Sequence, residues 1–207
     1  MLFLLAPLLL AVALAIRCED GGYVFFRQER VGFRGKHFRV WKFRTMTVAA
    51  SDETGPSLLR RGDDRITRVG RFLRHFGLDE IPQLINVLSG EMSLVGPRPT
   101  VGYQVEAYND RQRRRLDAKP GLTSLAVVSG RNAIPWEERI ELDIVYIERW
   151  TLLLDLRILL RTLWCVLVMR EGLYGQDGVN DAFVDLSDDV KSATENGSGR
   201  NREESGS

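Results

Sequence analysis

The sequence predicts a mainly helical α+β fold held at a membrane. Three observations carry this. The chain begins with a long apolar run, a pair of short segments reads as one β-hairpin, and later segments return apolar residues every three or four positions. With 207 residues the chain is long enough for one domain with a sizeable core and a tail. Its charge is unevenly spread: Gly21 to His75 holds 13 Lys and Arg against 5 Asp and Glu, whereas Asp177 to Ser207 holds 3 against 8. A basic body with an acidic tail implies a polyanionic partner: nucleic acid, a phosphorylated substrate or an anionic membrane. Cys18 and Cys165 have no metal-ligand spacing and form no disulfide framework, so both read as apolar fillers in a reducing compartment.

The apolar run "LFLLAPLLLAVALAI" (Leu2 to Ile16) would reach about 22 Å as a helix, against the roughly 20 residues a bilayer core needs. Pro7 lies inside it, where a proline kinks or breaks a helix. A cleaved signal peptide lacks its usual basic start here, since no Lys or Arg precedes the run. The basic flank follows instead (Arg17, Arg27, Arg30, Arg34 and Lys36), which favours a cytoplasmic position for that side. A signal anchor and a Pro-broken re-entrant segment both remain, and both attach the chain to the membrane.

After the run, "GGYVFF" and "KHFRVWKF" read as two strands, with Gly32 and Gly35 in the hairpin loop between them. Asp52 to Asp64 is polar and reads as a mobile loop. "DRITRVGRFLRHFG" is helical, with Gly77 as its C-terminal residue. A further helix is expected from about Glu80 to Leu88. "GEMSLVGPRP" reads as a turn and an extended piece. "YQVEAYNDRQRRRLDAKPG" reads as a basic helix whose Arg111, Arg113, Arg114 and Arg115 form a solvated face. "PWEERIELDIVYIERW" is an amphipathic helix. "TLLLDLRILLRTLWCVLVM" (Thr151 to Met169) is interrupted by Asp155, Arg157 and Arg161, which suits a helix at an interface or one covering a core. The Ser/Gly-rich end of the chain reads as disordered.

The stretch "GLDEIPQLINVLSGEMSLVGPRP" (Gly77 to Pro99) places Asp79 and Glu80 at the start of a helical pattern. Asp at a helix N-cap is the common reading, and the helix dipole would favour both ionised carboxylates there. The surroundings add a chemical reading. Arg74 precedes the pair and Arg98 follows in Pro-Arg-Pro, a setting suited to a phosphorylated substrate. One carboxylate would then serve as nucleophile or metal ligand and its neighbour as a base. A pyrophosphate would also favour Mg²⁺ held through few protein carboxylates. His75 and His37 are weak site candidates, a surface residue and a structural one.

Taken together, "FFRQERVGFRGKHFRVWKFRTM", "GRFLRHFGLDEIPQLINVLSGEMSLVGPRP" and "KPGLTSLAVVSGRN", in that order and after a Pro-bearing apolar segment, strongly resemble the bacterial sugar transferases, the monotopic polyprenyl-phosphate phosphoglycosyl transferases. The resemblance covers roughly Leu2 to Met169. It implies a monotopic enzyme with an N-terminal Pro-broken re-entrant helix over 1–20 and a catalytic domain over 21–176 with a short β-hairpin and interfacial amphipathic helices. An acidic, disordered tail over 177–207 would follow. The implied reaction moves a sugar 1-phosphate from a UDP-sugar to undecaprenyl phosphate with release of UMP. It would initiate an exopolysaccharide, capsule, O-antigen (lipopolysaccharide) or glycoprotein glycan at the cytoplasmic face of the bacterial inner membrane. The resemblance assigns Asp79 as the nucleophile of a covalent phosphosugar intermediate and Glu80 as its acid/base or positioning partner. Mg²⁺ is the implied cofactor, with Asp79 as its candidate ligand. Arg74 and Arg98 are expected at phosphate, and Arg131 of "GRN" at the donor. Membrane lipid, downstream glycosyltransferases and a second copy of the chain are the further implied partners.

The sequence departs from the family pattern in three places. Ala6 stands before the proline where Ser is common, the apolar run begins directly after Met1, and "TSLAVVSGR" stands where members often read "TGWAQVNGR". The chain contains no second hydrophobic domain and so matches the catalytic core. Two other classes stay in view: a membrane scaffold that has lost activity, and a basic module for anionic lipid or nucleic acid. Nucleic acid is the weaker partner, because the sequence has no recognition helix or stacking motif.

Overall fold

The computed structural model describes residues 2–52, 63–130 and 134–167. The polar loop expected at 52–64 falls almost wholly outside these, as do Arg131 and the acidic tail over 177–207. The described chain is mainly helical, with nine α-helices and two small sheets, in agreement with the expected class.

Helix α1 spans Leu2–Asp20. The break expected at Pro7 is not a break in this helix, which continues through the proline. A proline removes one i→i−4 hydrogen bond, and a helix of 19 residues rich in Leu and Ala can lose one and persist. Among the described residues no helix is long and apolar enough to cross a membrane. Val12 and Ile16 of α1 are buried against Phe43 and Leu73, so the C-terminal half of the helix is part of the domain core.

Strands β1 (Phe25–Val31) and β2 (His37–Phe43) form the expected antiparallel hairpin, registered from Phe25↔Phe43 to Val31↔His37. Phe25 stacks on Phe43 at 5.4 Å, and the Arg27 guanidinium lies 4.2 Å from the Trp41 ring centre. The loop is a short 3₁₀ turn over Phe33–Gly35.

After the short α2 (Val48–Asp52), α3 (Arg68–Phe76) is capped by Thr67, whose Oγ1 accepts from the Gly70 amide. Gly77 ends it at φ 68°, a left-handed conformation that suits glycine. Gly70 has a packing reason: a Cβ there would stand 2.1 Å from the Thr45 carbonyl oxygen, so α3 lies directly on the chain that leaves β2.

The helix expected from Glu80 to Leu88 is two pieces, a 3₁₀ turn over Leu78–Gln83 and then α4 (Leu84–Leu88). Pro82 lies inside the 3₁₀ turn, where its missing N–H leaves no bond unmade. Asn86 in α4 fastens this piece to β2. Its Oδ1 accepts from the Trp41 amide, and its Nδ2 donates to the Arg39 carbonyl.

Strand β3 (Ser93–Val95) pairs in parallel with β4 (Gly121–Thr123). Between them, α5 (Gly102–Glu106), α6 (Asp110–Arg113) and a 3₁₀ turn over Arg114–Asp117 occupy the stretch expected as one basic helix. Its arginines are not all on a solvated face: Arg115 is buried, paired with Asp143 at 2.7 Å. Helix α7 (Leu125–Ser129) follows β4, and Ser124 caps it by accepting from the Val127 amide, so this departure from the family pattern has a local role. Helix α8 (Trp136–Glu148) buries Trp136, Ile140 and Ile144 with Tyr108.

Helix α9 (Leu152–Leu167) carries features of both readings of its sequence. Leu152, Leu153, Leu156, Leu160, Leu163 and Trp164 are 52–76% exposed. At 100° per residue these six fall within about 120°, with Arg157 and Arg161 just beyond the stripe and buried Ile158 on the far side. Among the described residues the helix therefore covers core on one side and leaves an apolar stripe exposed on the other. Leu88, Phe72, Leu10 and Leu14 are further large apolar side chains left more than half exposed. Of the two cysteines, Cys165 is buried as expected, while Cys18 is exposed.

Candidate active site

Asp79 and Glu80 lie in the 3₁₀ turn between α3 and α4, in the angle between the left-handed Gly77 and Pro82. Asp79 is not the N-cap; that place belongs to Gly77, and no side chain caps this turn. The dyad is instead pressed against β2, and both carboxylates are buried, Glu80 with 1% of its surface exposed and Asp79 with 7%.

Glu80 is held by two cations. Its Oε1 accepts from Lys42 Nζ at 2.9 Å and from an Arg98 Nη at 3.4 Å. Burial opposes its charge, but Lys42 and then Arg98 keep its carboxyl below the usual range. Asp79 is placed differently. Its Oδ1 is buried without a hydrogen-bond partner among the described residues. Burial first, and then the neighbouring Glu80 charge, push its carboxyl up to about 6 against the pull of Lys42 and Arg74. A more basic carboxylate is a better nucleophile, provided it is ionised at the working pH.

Arg74 reaches the site from the last turn of α3, where its Nε donates to Thr45 Oγ1 at 2.8 Å. Burial lowers its pKa somewhat, with Asp79 as the first opposing charge. Arg98 comes from the Pro-Arg-Pro segment after β3, whose backbone is pinned from two sides. Arg115 donates to the Arg98 carbonyl at 3.1 Å, and Arg30 donates to the Pro99 carbonyl at 3.4 Å. The structure thus gathers four of the five expected site residues, Asp79, Glu80, Arg74 and Arg98, and Arg131 lies outside the described residues. His75 is exposed and packs edge-on against Phe76, and His37 pairs with Glu29 at the far end of the hairpin.

Lys42 and Thr45 were not among the expected site residues, although Lys42 had a readable signal. On a strand, alternate residues share a face, so Lys42 follows Phe38 and Val40. Both of those are buried. A lysine in the buried phase of a strand needs a counter-charge, and Glu80 is that charge. Thr45 had no such signal, since its partner is 29 positions away.

The arrangement can receive an anion. Three cations from β2, α3 and the segment after β3 surround two carboxylates, and one carboxylate oxygen is uncommitted. A divalent ion also fits, within limits. Among the described residues no group of three His, Cys, Asp or Glu side chains could cage one. An ion held mainly through substrate phosphates needs only one or two protein carboxylates, and Asp79 Oδ1 meets that need.

The comparisons with known proteins identify the family. The family described as Bacterial sugar transferase matches residues 1–169. The chain is 43% identical to the uncharacterized sugar transferase EpsL of Bacillus subtilis, over 86% of each chain. It is 48% identical to a UDP-glucose:undecaprenyl-phosphate glucose-1-phosphate transferase of Caulobacter vibrioides, over 77% of this chain and 62% of that one. It is 44% identical to an undecaprenyl-phosphate galactose phosphotransferase of Salmonella typhimurium, over 75% of this chain and 36% of that longer one. On the extent of the family match and these identities, the chain belongs to the bacterial sugar transferase family.

Proposed function

We propose that the chain transfers a sugar 1-phosphate from a UDP-sugar to undecaprenyl phosphate and releases UMP. The carrying observation is the buried, unpartnered Asp79 Oδ1 beside Lys42, Arg74 and Arg98. An Asp79 carboxylate oxygen attacks the phosphorus that bears the sugar. The bond from that phosphorus to the bridging oxygen breaks, and UMP leaves with the electron pair. The sugar phosphate is then held on Asp79 as an acyl phosphate. An oxygen of the lipid phosphate attacks the same phosphorus, the bond to Asp79 breaks, and the carboxylate is restored with the sugar pyrophosphoryl lipid as product. Two successive displacements let one site serve a water-soluble donor and a lipid acceptor in turn.

Arg74 and Arg98 stabilise charge on the phosphates, Arg131 contributes to the donor side, and Glu80 orients the dyad and its cations. Asp79 would be the protein ligand of a Mg²⁺ cofactor, which would supply positive charge for the pyrophosphate. The names of the relatives support the lipid acceptor and a UDP-hexose donor. The exposed stripe of α9 and the exposed Leu10 and Leu14 of α1 support a monotopic seat at headgroup depth. The basic flank after α1 supports the cytoplasmic face of the inner membrane. The lipid-linked sugar becomes the acceptor for glycosyltransferases that extend an exopolysaccharide or a related glycan.

The test incubates the protein with Mg²⁺, undecaprenyl phosphate and a panel of UDP-sugars and measures UMP. Release with at least one donor is expected. No release with any donor would overturn the enzymatic reading and favour a scaffold.

A further inference from the structure

Helix α1 ends in two carboxylates, Glu19 and Asp20, and each holds one of the two supports of Arg74. The first support is the helix that carries Arg74. Glu19 reaches the start of α3, where Oε1 accepts from the Arg68 amide at 2.7 Å and Oε2 from the Val69 amide at 3.1 Å. The Gly70 amide goes to Thr67 Oγ1 and the Thr67 amide to the Thr45 carbonyl. The four amides that a helix start leaves without partners are therefore all bonded, two of them by a residue some 50 positions earlier in the chain. A negative charge at this end also meets the positive end of the helix dipole.

The second support is Thr45, which accepts from Arg74 Nε. Asp20 grips its neighbour. Both Asp20 oxygens accept from the Arg44 guanidinium, which is buried and also donates to the Tyr23 and Met46 carbonyls. The backbone on either side of Thr45 is thereby fixed, and it is the Thr45 carbonyl against which Gly70 of α3 rests. The apolar contacts follow the same line: Val12 and Ile16 of α1 pack against Phe43 and Leu73, the residues that precede Arg44 and Arg74.

We propose that Glu19 and Asp20 are positioning residues that hold Arg74 in place from α1, so that the seating of this helix sets the phosphate side of the site. The proposal rests on the reading of Arg74 as a phosphate-binding group. Neither carboxylate touches substrate; each acts through α3 or through Arg44 and Thr45.

The experiment uses the full chain bound to anionic phospholipid vesicles. It compares Glu19→Ala, Glu19→Gln and Asp20→Asn with the parent, alone and in an Arg74→Lys background. Glu19→Ala is expected to speed amide exchange across Arg68–Phe76 by roughly tenfold or more, with vesicle binding unchanged. Glu19→Ala and Asp20→Asn are each expected to lower kcat/KM for UMP release about tenfold or more in the parent. In the Arg74→Lys background each should cost less than about threefold, because the group being positioned is already altered. Glu19→Gln keeps one acceptor and should retain more activity than Glu19→Ala. Equal losses in both backgrounds would reduce the pair to general stability and overturn the proposal. So would unchanged exchange in α3, or a loss explained by release from the vesicles. A parent protein that yields no UMP from any donor removes the functional reading instead. The exchange and vesicle arms then still decide whether α1 holds α3.

Discussion

Two buried charge clusters lie on either side of the Pro-Arg-Pro segment, and they are built to opposite rules. In the first, Glu80 is met by Lys42 and Arg98, whose side chains are each 18% exposed, and Asp79 beside it makes no ion pair among the described residues. In the second, Arg115 and Asp143 pair at 2.7 Å with side chains 3% and 2% exposed. The Tyr108 hydroxyl accepts from the same guanidinium, which also lies 5.4 Å from the Trp136 ring centre. The structural cluster matches one cation to one anion and is closed over by aromatic rings. The candidate site gathers three cations around two carboxylates and leaves its cations partly open to solvent; an unpartnered carboxylate oxygen is common to both clusters among the described residues, Asp79 Oδ1 in the first and Asp143 Oδ1 in the second. A surplus of positive charge partly open to solvent is a poor way to stabilise a fold and a good way to receive a phosphate.

The largest expected effect comes from removing the carboxylate that the cations of the first cluster surround. Asp79→Asn should lower UMP release by at least about 10³-fold, with no phosphosugar-labelled protein detectable by mass spectrometry. The same change should raise thermal stability at pH 7. The Asp79 carboxyl is raised from 3.8 to about 6 by burial and Glu80, so the folded state binds the extra proton between those values. Its contribution to stability therefore falls as pH rises through that window, and a neutral amide avoids the loss. A variant that is both inactive and less stable would place Asp79 with the structural residues and break the comparison.

The second cluster should respond in the reverse sense. Arg115→Met leaves Asp143 charged and buried without its partner, and should cost roughly 3–5 kcal/mol in urea unfolding. Arg115→Met with Asp143→Leu should recover most of that loss, because no lone charge remains. A single substitution that costs under about 1 kcal/mol would show that the pair is not closed off as its burial indicates.

The sequence makes the local elements readable and the long-range pairings much less so. The hairpin follows from alternation in "KHFRVWKF", and the end of α3 follows from Gly77, because each depends on neighbouring residues. The 3₁₀ turn that splits the expected Glu80–Leu88 helix and buries the dyad depends on packing against β2. Arg115 shows the limit most clearly. In a run of four arginines among five residues it reads as solvated, and only Asp143, 28 positions later, makes it a core residue. The catalytic candidates were legible because one short segment carries Asp79, Glu80 and Arg98 together. Lys42 was legible only through its phase on the strand.

The smallest expected effect is a shift in a pH profile, and it separates the cations of the first cluster from mere supports. UMP release should fall below an apparent pKa near 6, about tenfold per pH unit, as the dyad takes up the proton that blocks attack by Asp79. Lys42 lowers the pKa of both carboxylates, so Lys42→Met should move this limb to higher pH. Its maximum rate should drop roughly 10- to 100-fold, the usual cost of removing a group that orients a catalytic one. Glu80→Gln removes the charge that raises Asp79 and should move the limb of its residual activity to lower pH. Opposite movements would mean that Lys42 and Glu80 act on Asp79 through their charges. A limb that stays in place in both variants would make Lys42 a structural partner of Glu80, no different in kind from Arg115 and Asp143.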